Sequence, residues 1–219
     1  EEQELANQIN HLAVKQLANI ANEQKAKLIH ISTDYVFDGE SDKPYIETDT
    51  PNPINIYGKT KLAGEKALQE IMPTDAIIIR TSWLYSEFGN NFVKTMLRLG
   101  KERDEINVVS DQIGSPTYAT DLANAILEII KNKEFKEISQ ATQIYHYSNK
   151  GEISWCDFAK EIFKIAKVDC KVNPITTQQY PTPAKRPRNS LIDSNKIMQL
   201  FDINTPFWKD SLKRIFTND

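Results

Sequence analysis

The feature that most constrains this chain is an apolar run that turns polar all at once. Leu28-Ile29-His30-Ile31 is followed by Ser32-Thr33-Asp34 and then by Tyr35-Val36-Phe37-Asp38-Gly39. A buried parallel strand reads this way, and its carboxyl end is where open α/β sheets hold their ligands. Ile77-Ile78-Ile79 repeats the pattern and ends in Arg80-Thr81-Ser82-Trp83, which brings a second set of polar groups to the same edge. Between the two runs, Tyr57 and Lys61 stand four residues apart. On a helix that spacing puts a phenol and an ammonium on one face, close enough for Lys61 to act on the ionisation of Tyr57.

The rest of the chain supports a globular α/β reading. With 219 residues and 40% hydrophobic content it has enough apolar material for a sizeable core. A net charge of -3, with 27 Lys and Arg among 30 Asp and Glu, gives no basic stripe, so nucleic acid is not expected as a partner. Cys156 and Cys170 are too few for a disulfide framework, and His11, His30 and His146 are scattered, so no metal site is expected. Reduced thiols, an acidic amino terminus and the lack of any apolar run near ~18 residues point to a cytoplasmic protein that neither is exported nor spans a membrane.

Leu5, Ala6, Ile9, Ala13, Leu17 and Ile20 recur at helical spacing, so the chain is expected to open in an amphipathic helix. The polar stretch 38–55, with prolines at 44, 51 and 53, reads as a long loop ahead of the helix that carries Tyr57 and Lys61. Further helices are predicted over 91–100, 120–131, 154–167 and 208–215, and short strands over 106–109 and 145–148. Ser154 with Asp157 predicts a capping box. Strands alternating with helices call for a parallel sheet, and the Pro-rich stretch 174–187 predicts a separate lobe reaching back over it.

A phenol ionises near ~10, so a tyrosine acting as an acid near neutral pH needs a cation beside it; Lys61 is placed for that. Thr33, at the strand end, is placed to donate its hydroxyl to a substrate carbonyl oxygen shared with Tyr57. Strand alternation would turn Tyr35 and Phe37 to the side of Thr33, with Asp34 opposite. Trp83 offers a flat face to a sugar or a nicotinamide. Arg186 and Arg188, flanking Pro187, fit a diphosphate.

On these residues the chain resembles the extended short-chain dehydrogenases/reductases, and within them the dTDP-4-dehydrorhamnose reductase family. The likeness rests on Ser32 through Gly39, Tyr57-Gly58-Lys59-Thr60-Lys61-Leu62-Ala63-Gly64-Glu65, Arg80-Thr81-Ser82-Trp83, the run 89–97, Asp111-Gln112-Ile113-Gly114-Ser115-Pro116-Thr117, and the run 180–187. It implies an oxidoreductase that reduces the 4-keto group of a dTDP-sugar, dTDP-4-dehydro-L-rhamnose, with NADPH or NADH. In that reading Thr33, Tyr57 and Lys61 are catalytic. Ser32, Tyr57, Lys61, Thr81 and Trp83 face the cofactor; Thr33, Asp34, Tyr35, Phe37, Trp83 and Arg186 face the sugar nucleotide. It also implies that residues 1–150 are the carboxyl-terminal part of a Rossmann-like domain, with a substrate-lobe segment inserted near 88–117, and that 151–219 form a smaller substrate-binding lobe. A homodimer is one possible assembly.

One family feature is missing. None of the seven glycines forms the G-x-x-G-x-x-G or G-x-G-x-x-G turn that cradles a pyrophosphate. The sequence therefore predicts an incomplete Rossmann-like parallel sheet, a truncated gene product, and weak dinucleotide binding by the 219 residues alone. Two rivals share the resemblance: a non-catalytic regulatory subunit of the methionine adenosyltransferase type, and another NAD(P)-dependent sugar-nucleotide epimerase, dehydratase or reductase. Intact Thr33, Tyr57 and Lys61 argue against a pure binder. A dehydratase would carry two carboxylates after the strand-end Thr, where this chain has Asp34-Tyr35.

Overall fold

The structure, a computed structural model, describes residues 2–136 and 141–217. An opening helix runs through Gln3–Asn7 (α1), a π turn at Gln8–Leu12, and Ala13–Glu23 (α2). Then come Leu28–Thr33 (β1), Ile56–Ile71 (α3), Ala76–Thr81 (β2), Leu84–Tyr85 (β3), Phe92–Glu102 (α4) and Glu105–Val109 (β4). Ile113–Gly114 (β5), Thr117–Tyr118 (β6), Ala119–Lys131 (α5), Lys133–Lys136 (α6), Gln143–Tyr147 (β7) and Ile153–Ser154 (β8) follow. Trp155–Ala166 (α7), Lys171–Ile175 (β9), Asn195–Phe201 (α8) and Trp208–Ile215 (α9) complete the order.

The main sheet has the order β1-β2-β7 and is parallel throughout. Its central strand explains the unbroken apolar run: Ile77 and Ile79 pack with α5 and α8 through Leu122, Ala125, Ile129, Ile197 and Phe201. Ile78 points the other way, to Val14, Ala18, Leu68 and Met72 of the opening helix and the α3 end. Both faces of the strand are covered, so alternation moves side chains between two cores rather than between core and water. The π turn sits where α3 comes closest. A Cβ on Gly64 would run into the Asn10 carbonyl oxygen, so glycine lets the two helix backbones touch. Outward from that contact, Leu5, Ile9, Leu12, Leu17 and Ile20 leave an exposed apolar stripe.

A second core gathers Tyr85, Val93, Met96, Ile106, Val108, Phe158, Ile162, Phe163, Trp208 and Leu212. Here β4 pairs in parallel with β9, a strand not predicted from sequence because Pro174 interrupts it. The proline is tolerated because β9 has a neighbour on one side only in this two-stranded sheet. The other unpredicted strands, β3, β5, β6 and β8, are two residues each, too short to carry a period. At the start of α7, Ser154 Oγ accepts from the Asp157 amide at 3.0 Å and donates to its carboxylate at 2.8 Å, so the cap forms but the reciprocal backbone bond of a capping box is replaced by a side-chain one. No helix among the described residues is long and apolar enough to cross a membrane, and no cluster of metal-ligating side chains occurs among them.

His146 on β7 is fully buried, with Nδ1 at 3.1 Å from the Tyr45 carbonyl and its Nε2 without a partner. Burial first, then the Arg80 charge, pushes its pKa down from 6.5 to about 3. The unfolded chain then binds a proton that the folded one refuses across that interval, so this group's contribution is full above 6.5 and is lost as pH falls toward 3. Urea unfolding followed between those limits should show His146→Gln losing part of the acid sensitivity, on the order of a few kcal/mol across the window. Parallel pH curves for the two proteins would refute it.

Candidate active site

β1 ends at Thr33 in extended backbone, and Asp34–Val36 then turns in a 3-10 helix. The expected strand alternation therefore stops at Thr33. Val36 and Phe37 go into the core, where Phe37 is 1% exposed, stacks on Tyr45 at 4.2 Å and lies under the Arg80 guanidinium at 5.2 Å. Phe37 is a packing residue and does not reach the substrate side with Thr33 and Tyr35. The turn leaves Thr33, Asp34 and Tyr35 at the sheet edge. Thr33 Oγ1 donates to Asp34 Oδ1 at 2.9 Å and accepts from the Tyr35 amide at 3.2 Å.

α3 is anchored against this turn at its first residues. Asn55 caps it, Oδ1 accepting from the Gly58 amide at 2.8 Å, and a Cβ on Gly58 would collide with the Tyr35 carbonyl oxygen. Glycine is needed here for close approach. The approach brings the Tyr57 ring edge-on to Tyr35, 5.6 Å between centroids and 78° between planes. Burial of its hydroxyl end raises the Tyr57 pKa; a hydrogen bond with Thr33 pulls it down, and the Asp34 charge pushes it up. Tyr57 as a whole is 46% exposed, so one flank of the residue stays open to a ligand.

Lys61 is half-buried and donates to the Ile31 carbonyl at 2.7 Å. Burial holds its pKa below the ordinary lysine range and Glu65, one turn further on, counters that. The sequence reading made Lys61 the group that acidifies Tyr57. In the structure its ammonium is turned to the backbone of β1, and the groups acting on the phenol are Thr33 and Asp34.

Behind the site lies a buried ion pair. Arg80 of β2 donates to Glu65 from Nε at 3.0 Å and from Nη2 at 2.6 Å, and Ser32 donates its hydroxyl to the same carboxylate. Glu65, Arg80 and Ser32 are 0%, 1% and 3% exposed. The pair ties α3 to both strands at the level of Lys61. Ser32 is thus committed to Glu65, while Thr81, in register with Thr33, keeps a buried hydroxyl without a partner.

Trp83 leaves β2 with φ 47°, a left-handed conformation that swings its indole onto Trp155, ring centroids 3.4 Å apart and planes 6° apart. Gly114 of the Asp-Gln-Ile-Gly-Ser-Pro-Thr run is what makes room, since a Cβ there would enter the indole. Trp155 borders a cleft of about 610 Å³ between α4, β4 and the tail, with Phe92, Val108, Gln112, Tyr180 and Arg186 on its walls. That is a size suited to a nucleotide-sized ligand. Arg186 links the cleft to Tyr35, on which its charge acts: burial and Asp34 push the Tyr35 pKa up to about 12 and Arg186 draws it back. A second cavity of about 400 Å³, by Ser148, Asn149 and Lys150, holds none of the sequence-predicted residues.

Thr33, Asp34, Tyr35, Tyr57 and Arg186 thus act on one another, Lys61 is held on the β1 backbone, Thr81 stands in register with Thr33, and Trp83 reaches the cleft only through its stack on Trp155. Arg188 is drawn off to Asp42 at 3.0 Å. Sequence reasoning named Glu65 and Gly114 only inside the runs that carry the resemblance, with no role of their own, and passed over Asn55 and Trp155. Asn55 was legible as a helix cap; the others act through long-range contacts that carry no local signal.

The whole chain, residues 1–219, matches the RmlD substrate binding domain family. It is 44% identical over 220 residues to dTDP-4-dehydrorhamnose reductase of Escherichia coli (strain K12), covering 98% of this chain and 73% of that protein. The same-named protein of Aggregatibacter actinomycetemcomitans is 45% identical over 213 residues, covering 94% and 72%. Among solved structures, a dTDP-4-dehydrorhamnose reductase from Bacillus anthracis in complex with NADP superposes with TM-score 0.92 at 43% identity, covering 100% of this chain and 75% of that one. A UDP-galactose 4-epimerase at 15% identity, TM-score 0.81, covering 98% and 70%, shares the fold alone. With the Thr33, Tyr57 and Lys61 constellation standing at the carboxyl edge of a parallel sheet, the chain belongs to the dTDP-4-dehydrorhamnose reductase family.

Proposed function

We propose that this chain carries the proton-donating and sugar-nucleotide half of a reductase that converts dTDP-4-dehydro-L-rhamnose to dTDP-L-rhamnose with NADPH or NADH. The observation that carries the reading is the pairing of the Thr33 hydroxyl with the Tyr57 phenol, next to Tyr35, on which the cleft-lining Arg186 acts. Tyr57 gives its proton to the 4-keto oxygen as that oxygen gains charge, and becomes a phenolate. Thr33 holds the same oxygen, and Arg186 pairs with the diphosphate. Trp83 and Trp155 close the side toward the sugar.

Fit to a nicotinamide cofactor divides along the molecule. The unpartnered Thr81 hydroxyl, in register with Thr33, and the Lys61 ammonium, held on the Ile31 carbonyl of β1, suit the ribose and nicotinamide end. When bound, that cofactor supplies the hydride to the sugar's C4. The glycine pattern offers no cradle for its diphosphate.

The domain division belongs to the same reading: residues 1–150 on the cofactor side with 88–117 inserted into the substrate lobe, and 151–219 forming that lobe. Its support is the separate core shared by α4, β4 and α7. We place the protein in the cytoplasm, where Cys156 and Cys170, both unpaired and buried, stay reduced. A homodimer, if formed, has the exposed stripe from Leu5 to Ile20 as its apolar surface.

The test is NADPH oxidation by the protein as its cell makes it, with dTDP-4-dehydro-L-rhamnose as acceptor and the product identified as the 4-hydroxy sugar nucleotide. Arg186→Ala should raise KM by roughly tenfold or more, as the loss of a charged hydrogen bond to a phosphate does, while kcat changes less. No oxidation by the wild-type protein, or an Arg186→Ala effect on kcat alone, would count against the assignment.

A further inference from the structure

Asp34 is 3% exposed and follows directly on the residue that grips the keto oxygen. Thr33 Oγ1 donates to its Oδ1 at 2.9 Å while accepting from the Tyr35 amide at 3.2 Å. Its second oxygen, Oδ2, is buried and has no hydrogen bond of good geometry among the described residues, the Ser190 hydroxyl favouring the carboxylate without completing one. A hydroxyl has one hydrogen and two lone pairs. With its hydrogen given to a carboxylate and one lone pair given to an amide, Thr33 has only a lone pair to offer a carbonyl oxygen, and two lone pairs repel. Service as a donor to the substrate requires the Thr33 to Asp34 bond to run the other way.

We propose that Asp34 serves the reduction as a neutral carboxylic acid, a positioning residue whose Oδ1–H donates to Thr33 Oγ1 and so turns the Thr33 hydrogen toward the carbonyl oxygen of the substrate. This rests on the reductase reading above. The reversal needs no movement of heavy atoms, since an oxygen separation of 2.9 Å serves either direction. Thr33 is then fully satisfied, accepting from Asp34 and the Tyr35 amide and donating to the keto oxygen, which takes the place of its present bond with Tyr57 and frees the phenol for the same oxygen. Oδ2 becomes a carbonyl oxygen, far cheaper to bury unpartnered than a carboxylate oxygen.

The surroundings favour the neutral form. Thr33 faces the carboxyl from β1, the Tyr35 phenol and the amides of Asp34 and Tyr35 from the turn, Tyr57 from α3, and Ser190 from the tail; Arg186, also in the tail, acts on Tyr35. The hydroxyls of Thr33 and Ser190 and the two amides favour ionisation, but burial outweighs them and pushes the pKa up from 3.8 to about 6. A sugar nucleotide covering the site removes more water and moves it further in the same direction. Neutralising Asp34 also removes the charge that pushes the Tyr57 phenol up, so both donors improve together. Asp34 gives no proton away in the cycle; the one consumed at the keto oxygen leaves Tyr57.

Titration settles the protonation without any ligand. Carbon-13 NMR of the side-chain carboxyls, with Asp34 assigned by the signal lost in Asp34→Asn, should place its midpoint about 6; a midpoint at the ordinary 3.8 overturns the proposal. Kinetics read the direction of the bond. Wild-type kcat should fall as pH rises above the midpoint. Asp34→Asn, whose amide donates to Thr33 at every pH, should keep roughly a tenth or more of kcat and lose that fall, whereas Asp34→Ala should drop roughly hundredfold, as loss of an aligned donor to the developing oxyanion does. An Asn variant as impaired as the Ala variant overturns the proposal while leaving the reductase reading standing. A wild-type protein without reductase activity overturns both.

Discussion

Tyr57→Phe is expected to lower kcat for keto reduction by roughly 10²- to 10⁴-fold, the usual yield of a positioned general acid, with KM for the sugar nucleotide changed far less. Phenylalanine keeps the ring that meets Tyr35 edge-on at 5.6 Å and removes only the hydroxyl that shares a hydrogen bond with Thr33. The loss is therefore chemical rather than structural. Circular dichroism and urea midpoints should match those of the wild type, since the ring and its packing are kept. A variant that retains more than about a tenth of kcat would show that the proton comes from elsewhere, with solvent as the remaining source.

Glu65→Ala should cost about 3–5 kcal/mol of unfolding free energy, because it strands a guanidinium 1% exposed in the core. Arg80 already has Nη1 without a partner, so it has no spare bonds with which to recover. Ser32 loses its acceptor in the same stroke. The paired replacement Glu65→Leu with Arg80→Met removes both charges and keeps the volume. It should come within about 2 kcal/mol of wild type, since replacing a buried ion pair by apolar groups is often neutral. Urea unfolding of the three variants decides the matter: a double variant as unstable as the single one would mean that the pair's geometry, not its desolvated charge, sustains the fold. In the double variant Lys61 also loses the carboxylate that supports its charge, so its pKa should move lower still.

How far the sequence could be read depended on the range over which each feature is specified. β1 and β2 were legible because both faces of the sheet are covered, which leaves a continuous apolar signature at 77–79. Thr33, Tyr57 and Lys61 were legible because the strand end and the helix repeat are local patterns. The direction of Tyr35 and Phe37 was not, since a 3-10 turn at Asp34–Val36 replaces strand alternation, and only the burial of Phe37 under Arg80 accounts for it. The partner of Lys61 was hidden as well. Helical spacing places it near Tyr57, but the choice of the Ile31 carbonyl depends on how α3 packs on β1. β9 escaped notice because Pro174 argues against a strand until its one-sided pairing is known.

Asn55 joins two parts of the molecule that lie far apart along the chain. Its Oδ1 fixes the first turn of α3 through the Gly58 amide, and its Nδ2 donates to the Lys185 carbonyl at 2.8 Å, one residue before Arg186. Any pull on the tail by an arriving diphosphate is transmitted to the helix that holds the phenol, and any loosening of that helix lets the tail drift. With Arg186 on the diphosphate and Tyr57 as the acid, as proposed above, grip on the carrier nucleotide and readiness of the acid become mechanically one quantity, so a sugar offered without its nucleotide should meet a donor that is present but unsteadied.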